Sequence, residues 1–192
     1  MQSKAMIVIL SAPSGGGKTS ISNKILEDDA NMVLSISVTT RKPRPDEKEA
    51  VHYYFKTIQE FQELKVNDEF LEDAEVYGNF YGTPNQYVAR ELQNNKDVLF
   101  DIDHQGAQQI KQKLNDKVVS IFIVPPSLDC LRERLESRGQ DSRESIEKRL
   151  KMASEVMSYA DDYDYIVVND DFNEAVARIN EIIQQERVKR KT

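Results

Sequence analysis

The chain is short of several things, and each shortage narrows what it can be. It holds one cysteine, Cys130. A single thiol excludes an internal disulfide and a cysteine-rich metal site. Its spacing from Leu131 and Leu135 predicts a packed thiol rather than a nucleophile. Long apolar runs are missing as well. The longest near the N-terminus, Ala5 to Leu10, is too short for a membrane span or a signal-peptide core. No membrane partner is expected, and a reducing cytoplasm is the default compartment. Positive charge is in deficit: 26 basic side chains against 33 acidic ones leave a net charge of −7. That argues against nucleic acid as the main partner. The basic tail Arg187 to Lys191 reads as a short solvated run. Repeats and low-complexity linkers are absent. At 192 residues, 39% apolar and 31% charged, the chain reads as one soluble globular domain with room for inserted lobes.

Glycine is scarce too, with seven residues in all, yet Gly15, Gly16 and Gly17 are consecutive. They sit in Ser11-Ala-Pro-Ser-Gly-Gly-Gly-Lys-Thr19, after the apolar run Met6 to Leu10 and before a helical pattern from Lys18 to Glu27. Strand, glycine loop and helix are the context of a phosphate-binding loop. Glycines let several backbone N–H groups turn toward one anion, and the helix adds its positive N-terminus. Lys18 places a cation against that dipole, which makes sense with a polyphosphate beside it. Thr19 has the hydroxyl that such loops offer to Mg²⁺. The usual pattern begins with glycine; here that position is Ala12.

The rest of the chain alternates strand and helix signals. A strand is predicted over Val33 to Val38, ending in Thr39 to Pro45, where two prolines enforce an extended loop. His52 to Phe55 is β-prone. Thr57-Ile-Gln-Glu60 is a capping-box pattern for a helix to about Val66. Phe70 to Tyr77 is mixed, Gly78 to Pro84 turn-rich, and Pro84 opens a helix to about Gln93. Val98 to Asp103 is a buried strand ending in two carboxylates, Asp101 and Asp103, which alternation places on one side. Gln105 to Leu114 is helical, and Val118 to Val124 suits a strand buried on both faces. Leu128, Leu131 and Leu135 point inward from a helix that Gly139 ends. Asp141 to Glu144 caps the next. Tyr163 to Val168 is the last strand and Phe172 to about Lys189 the closing helix. This rhythm predicts an α/β fold with a central parallel five-stranded sheet. Residues 33–84 interrupt it as an inserted mixed lobe. On composition alone, Arg41 and Arg44 are loop charges, Tyr53 and Tyr81 are core tyrosines, and Glu72 is one surface acid among several.

With these pieces assembled, the chain resembles guanylate kinase nearly end to end. The resemblance is carried by Ser11 to Thr19, Ser35 to Arg44, Glu72, Gly78-Asn-Phe-Tyr-Gly-Thr83, Asp101-Ile-Asp-His-Gln-Gly106, Arg134 to Gly139 and Val168-Asn-Asp-Asp171. The Thr-Thr-Arg-x-Pro-Arg run followed by Tyr-Gly-Thr is its specific part. The chain departs from the family between Pro45 and Tyr53. Asp46 and Ala50 stand where the family usually has glycine, and His52 where it has aspartate.

The resemblance implies a P-loop three-layer fold with a core of 1–32, 85–126 and 161–192, a GMP-binding lobe of 33–84 and a helical lid of 127–160. It implies ATP-dependent phosphorylation of GMP, extending to dGMP, with Mg²⁺ accompanying ATP. Ser14, Gly15, Gly16, Gly17, Lys18, Thr19 and Ser20 would bind ATP, with Arg134, Arg138, Asn169 and Asp170. Arg41, Arg44, Tyr53 and Tyr81 would hold the GMP phosphate. Glu72, Ser37, Thr83 and Asp101 would read guanine. Lys18, Arg41, Arg138 and Arg149 would neutralise the transferring phosphoryl group. Thr19 would touch the metal, and Asp103 would steady it through water. His52 and His104 read as non-catalytic. Two alternatives stay open: a kinase of another small acceptor, and a catalytically inert, peptide-binding module of the kind found in scaffold proteins. The sequence leaves monomer and homo-oligomer equally open.

Overall fold

The computed structural model describes residues 5–76, 78–114, 117–137 and 142–190. Strand β1 (Ile7–Ser11) is buried along its whole length and lies at the centre of the larger sheet. It runs into α1 (Lys18–Asp28) and then β2 (Met32–Leu34). The partners of β1 are β7 (Asp97–Asp101) and β8 (Val118–Val124), both parallel to it. With β9 (Tyr165–Val168) outside β8, the parallel order is β2-β7-β1-β8-β9. Alternation along β1 feeds two cores. Val8 and Leu10 pack with Ile21 and Ile25 of α1 and Ile179 and Ile183 of α7 (Phe172–Lys189). Ile7 and Ile9 pack on the other face with Val88 and Leu92 of α3 (Asn85–Gln93) and Ile110 of α4 (His104–Leu114). The result is helix, sheet, helix, as the sequence predicts.

A second, mixed sheet has the order β4-β3-β6-β5, built from β3 (Ser37–Thr39), β4 (Tyr53–Phe55), β5 (Phe70–Val76) and β6 (Asn79–Pro84). Its small core stacks Phe61 of α2 (Ile58–Val66) on Phe70 and Phe80, with centroids 4.7 and 5.5 Å apart. The capping box at Thr57 and Glu60 forms as predicted. The last two helices to place are α5 (Leu128–Ser137) and α6 (Arg143–Met157), which pack through Leu131, Leu135, Ile146 and Leu150.

Several local expectations are corrected. The single strand expected over 33–38 is two strands in two sheets, so a boundary at residue 33 falls inside β2. The segment from Phe70 to Pro84, expected to be mixed and turn-rich, is an antiparallel hairpin. Gly78, with φ 74, supplies its turn, and the Tyr, Thr and Phe of β6 pair like any strand. Leu128 is 39% exposed at the start of α5 rather than inward. Cys130 is half-buried rather than packed. Asp141 lies outside the described residues, and Ser142 caps α6 through the Ser145 N–H. Arg187 is not solvated. Its Nε donates to Asp97 Oδ2 at 2.7 Å, and its Nη2 lies 2.6 Å from Asp29 Oδ2, which fastens α7 to the edge of the sheet.

Candidate active site

The loop after β1 is shaped by its glycines. Gly15 and Gly17 have φ of 87 and 92, the left-handed region. The Gly16 N–H donates to the Pro13 carbonyl at 2.9 Å and closes the turn. Space matters as much as dihedral angle. A Cβ on Gly17 would lie 2.5 Å from Asn169 Nδ2, and one on Gly15 would lie 2.8 Å from a Leu131 methyl. Ala12 needs no glycine: it is not among the left-handed non-glycine residues, which in the described chain are Ala50, Asp68 and Asn95.

At the first turn of α1, Lys18 Nζ lies 2.7 Å from Asp101 Oδ1 and donates to the Ile102 carbonyl at 3.0 Å. The parallel register sets Leu10 beside Asp101, so the end of β7 delivers that carboxylate to the loop. Ser22 Oγ donates to Asp101 Oδ2 at 3.5 Å. Asp101 is therefore engaged with Lys18 and Ser22 on the first turns of α1. Ser14, Thr19 and Ser20 are exposed around the same turn.

The second sheet assembles another group. The register sets Glu72 opposite Thr83 on β5 and β6, while β3 carries Ser37 alongside. Thr83 Oγ1 donates to Glu72 Oε1 at 2.7 Å, and Ser37 Oγ lies 3.0 Å from Thr83 Oγ1. Glu72 is 3% exposed. Burial pushes its carboxyl up to about 7, with Asp103 and Asp73 adding to the rise and the Thr83 bond opposing it. Three residues distant in sequence thus meet as one hydrogen-bonded chain ending in a carboxylate.

A third group surrounds Arg41. Its Nη2 donates to both Glu47 oxygens, at 2.7 and 3.0 Å. Its guanidinium sits 5.5 Å from the Tyr53 ring centre, and Tyr53 meets Tyr81 edge-on at 6.0 Å. The Glu47 bonds hold Arg41 in its charged form and push the Glu47 carboxyl below its usual range. Burial raises the Tyr53 hydroxyl. Arg44 stays exposed, and only its backbone joins the group, donating to Glu47 Oε2 at 2.8 Å. Both arginines thus meet at Glu47, Arg41 through its guanidinium and Arg44 through its backbone N–H.

Glu47 was missed in the sequence, where it is one acid in a charged loop. His52 is explained by the same loop. Its Nδ1 accepts the Lys48 N–H at 3.0 Å, a role an aspartate oxygen fills equally well. Of the two positions where the family has glycine, Asp46 needs none, whereas Ala50 is left-handed with φ 59.

Arg134, Asn169 and Asp170 lie together. Arg134 Nη2 donates to the Asn169 and Asp170 carbonyls at 2.8 and 3.2 Å. The Asn169 amide is buried and donates to the Gly16 carbonyl at 2.8 Å, so it also braces the glycine loop. That role had no sequence signal. Arg149 is half-buried on α6. Arg138 lies outside the described residues.

Asp103 is a correction. Strand β7 ends at Asp101, so alternation no longer governs residue 103. Instead Asp103 precedes α4 and caps it, Oδ1 accepting the Gly106 N–H at 3.0 Å. No group of three histidine, cysteine or acidic residues that would hold a metal occurs among the described residues. Thr19 is exposed in the first turn of α1, and a single hydroxyl of that kind is compatible with Mg²⁺, which keeps most of its waters and leans on phosphate oxygens. Among the described residues no helix is long and apolar enough to cross a membrane.

The sequence family described as guanylate kinase matches residues 4–186. A guanylate kinase of Rickettsia bellii (strain RML369-C) is 50% identical, covering 98% of this chain and 98% of its own length. One of Rhizobium johnstonii is 46% identical over 97% of this chain and 85% of its own. The crystal structure of guanylate kinase from Anaplasma phagocytophilum superposes with a TM-score of 0.79 at 40% identity, covering 97% of this chain and 88% of that one.

Proposed function

The chain belongs to the guanylate kinase family, and from that premise we propose how its own residues carry a phosphoryl group from ATP to GMP. The activity is ATP-dependent phosphorylation of GMP to GDP. The observation that carries the residue assignment is the buried chain Ser37, Thr83, Glu72 in the smaller sheet, while the glycine loop and Lys18 follow the central strand of the larger one. Guanine presents two adjacent donors, N1–H and the exocyclic amine, and an ionised carboxylate accepts both. The Thr83 hydroxyl fixes one carboxylate oxygen and so orients the group. This set does not suit adenine, whose matching edge has an acceptor at N1.

The loop of residues 14–20 cradles the ATP phosphates, with Lys18 exchanging Asp101 for phosphate oxygens. Arg41, Tyr53, Tyr81 and Arg44 take the GMP phosphate, Arg41 exchanging Glu47 for it. That phosphate is itself the nucleophile, and with a second pKa of about 6 it is largely ionised near neutrality. No general base is required. Catalysis is positioning plus neutralisation of charge on the transferred group by Lys18 and the arginines at 134, 138 and 149. Thr19 would hold Mg²⁺ beside the phosphates, with Asp103 behind its waters; the ion supplies charge neutralisation when bound. In this reading residues 33–84 are the GMP lobe and 127–160 the lid, and their closure keeps water from the ATP. The loop, Lys18 and Thr19 being intact, an inert peptide-binding module is disfavoured.

The test is a coupled assay of ADP formation with ATP-Mg²⁺ and each nucleoside monophosphate in turn. GMP and dGMP should be turned over, and AMP, CMP and UMP far more slowly. Comparable turnover of AMP would overturn the assignment of Glu72 as the guanine reader.

A further inference from the structure

We infer that Gly106 is a specificity-determining position for the guanine site, because its missing side chain is what admits the Glu72 carboxylate to the place where it meets the base. The inference rests on the reading of Glu72 given above.

Gly106 lies in the first turn of α4. Its backbone is not left-handed, so no dihedral requirement calls for glycine there. Glycine is, after proline, the poorest helix former. A reason of space is therefore needed, and the neighbours supply it. A Cβ on Gly106 would fall 2.7 Å from Glu72 Oε2 and 3.3 Å from Glu72 Cδ. The third neighbour is the Cδ1 methyl of Ile102, also at 3.3 Å.

These neighbours differ in how far they can yield. The Ile102 methyl is the end of a flexible side chain. The Glu72 carboxylate is held on its other side, where Oε1 accepts the Thr83 hydroxyl and Thr83 is tied to Ser37. An added methyl must therefore push Oε2, the oxygen that Thr83 does not hold. Gly106 acts as a positioning residue. It sets how deep the carboxylate rests against the helix N-terminus, and hence where its free oxygen waits for a guanine donor.

The experiment compares wild type with Gly106→Ala, Glu72→Gln, Glu72→Asp, Ile102→Val, Gly106→Ala/Glu72→Asp and Gly106→Ala/Ile102→Val. The readouts are kcat and KM for GMP and for AMP, and KM for ATP, on the full chain. Gly106→Ala should raise KM for GMP by roughly tenfold, the equivalent of about 1.4 kcal/mol, and leave KM for ATP within about twofold. Aspartate is one methylene shorter and withdraws from the new methyl. Glu72→Asp should accordingly recover part of the GMP loss, a coupling that independent sites would not show. Ile102→Val should recover nothing.

Four outcomes would overturn the inference: no change in KM for GMP, equal losses for GMP and ATP, recovery by Ile102→Val, or no coupling to Glu72→Asp. If Gly106→Ala does not fold, restoration of folding by Glu72→Asp and not by Ile102→Val supports the contact, and the reverse overturns it. Glu72→Gln separates the two levels. A GMP-to-AMP ratio unchanged by Glu72→Gln overturns the guanine reading and the inference with it. A ratio narrowed by Glu72→Gln but untouched by Gly106→Ala overturns the inference alone.

Discussion

The Lys18 ammonium and the Asp101 carboxylate form an ion pair, Nζ to Oδ1 at 2.7 Å, across the gap between the glycine loop and the end of β7. Both side chains keep about a fifth of their surface exposed, 21% and 22%. Pairs with that much solvent contribute little to stability, about 0–1 kcal/mol. The lysine is therefore held ready rather than spent on the fold. Lys18→Met should leave the melting temperature nearly unchanged and remove phosphoryl transfer. Losing a cation from the transferring phosphoryl group should cost about three powers of ten in kcat, or ~4 kcal/mol. Steady-state ADP formation measures it, and turnover within about tenfold of wild type would contradict the assignment.

The buried Glu72 carboxyl makes stability depend on pH. Its value is raised from 4.5 to about 7 by burial. The folded state then binds a proton that the unfolded chain has released between those limits. Its contribution is fully present below about 4.5 and is lost as pH rises through about 7, on the order of 3 kcal/mol in total. Glu72→Gln carries no charge there and its Oε1 can still accept from Thr83. It should melt clearly above wild type at pH 8 and close to it at pH 5, by calorimetry. Equal shifts at both values would mean that Glu72 is not protonated in the fold.

Ala50 is left-handed with φ 59, at a position where the family usually has glycine. For alanine that conformation costs roughly 1–2 kcal/mol, part of which glycine gives back through its freer unfolded chain. Ala50→Gly should stabilise the chain by about 0.5–1 kcal/mol, or ~1–4 °C in Tm. Asn95 has nearly the same angle, φ 58, but asparagine tolerates it. Asn95→Gly should therefore gain distinctly less. Equal gains would place the strain elsewhere.

Legibility varied with how local the cause was. The glycine loop, the five parallel strands and the capping box at Thr57 depend on neighbours in sequence, and each is present. The hairpin of Phe70 to Pro84 was obscured because Gly78, Gly82 and Pro84 read as turn signals, while cross-strand pairing overrode them. Asp103 lies beyond the end of β7, where strand alternation no longer applies, and caps a helix instead. Glu47, Gly106 and the bracing amide of Asn169 act across gaps of 6, 34 and 153 residues, the second counted from Glu72; Gly106 and Asn169 stand in motifs that carry the family resemblance, but no local pattern marks these contacts. Ser37, Thr83 and Glu72 were legible through resemblance to a family and not through composition.

The central claim is that Glu72 reads guanine, and it is tested most directly by kcat/KM for GMP and AMP in wild type and Glu72→Gln at pH 8, where the carboxylate is ionised. A buried charge facing adenine's lone pair costs about 2–5 kcal/mol, a preference of roughly thirtyfold to several-thousandfold. The amide matches one guanine donor and clashes with the other. The ratio should narrow by about tenfold or more, with KM for ATP little changed. Between pH 8 and 6, KM for GMP should rise more in wild type than in the variant, since only wild type must release a proton from residue 72 to accept the base. A ratio that stays the same, with parallel pH profiles, would contradict the account.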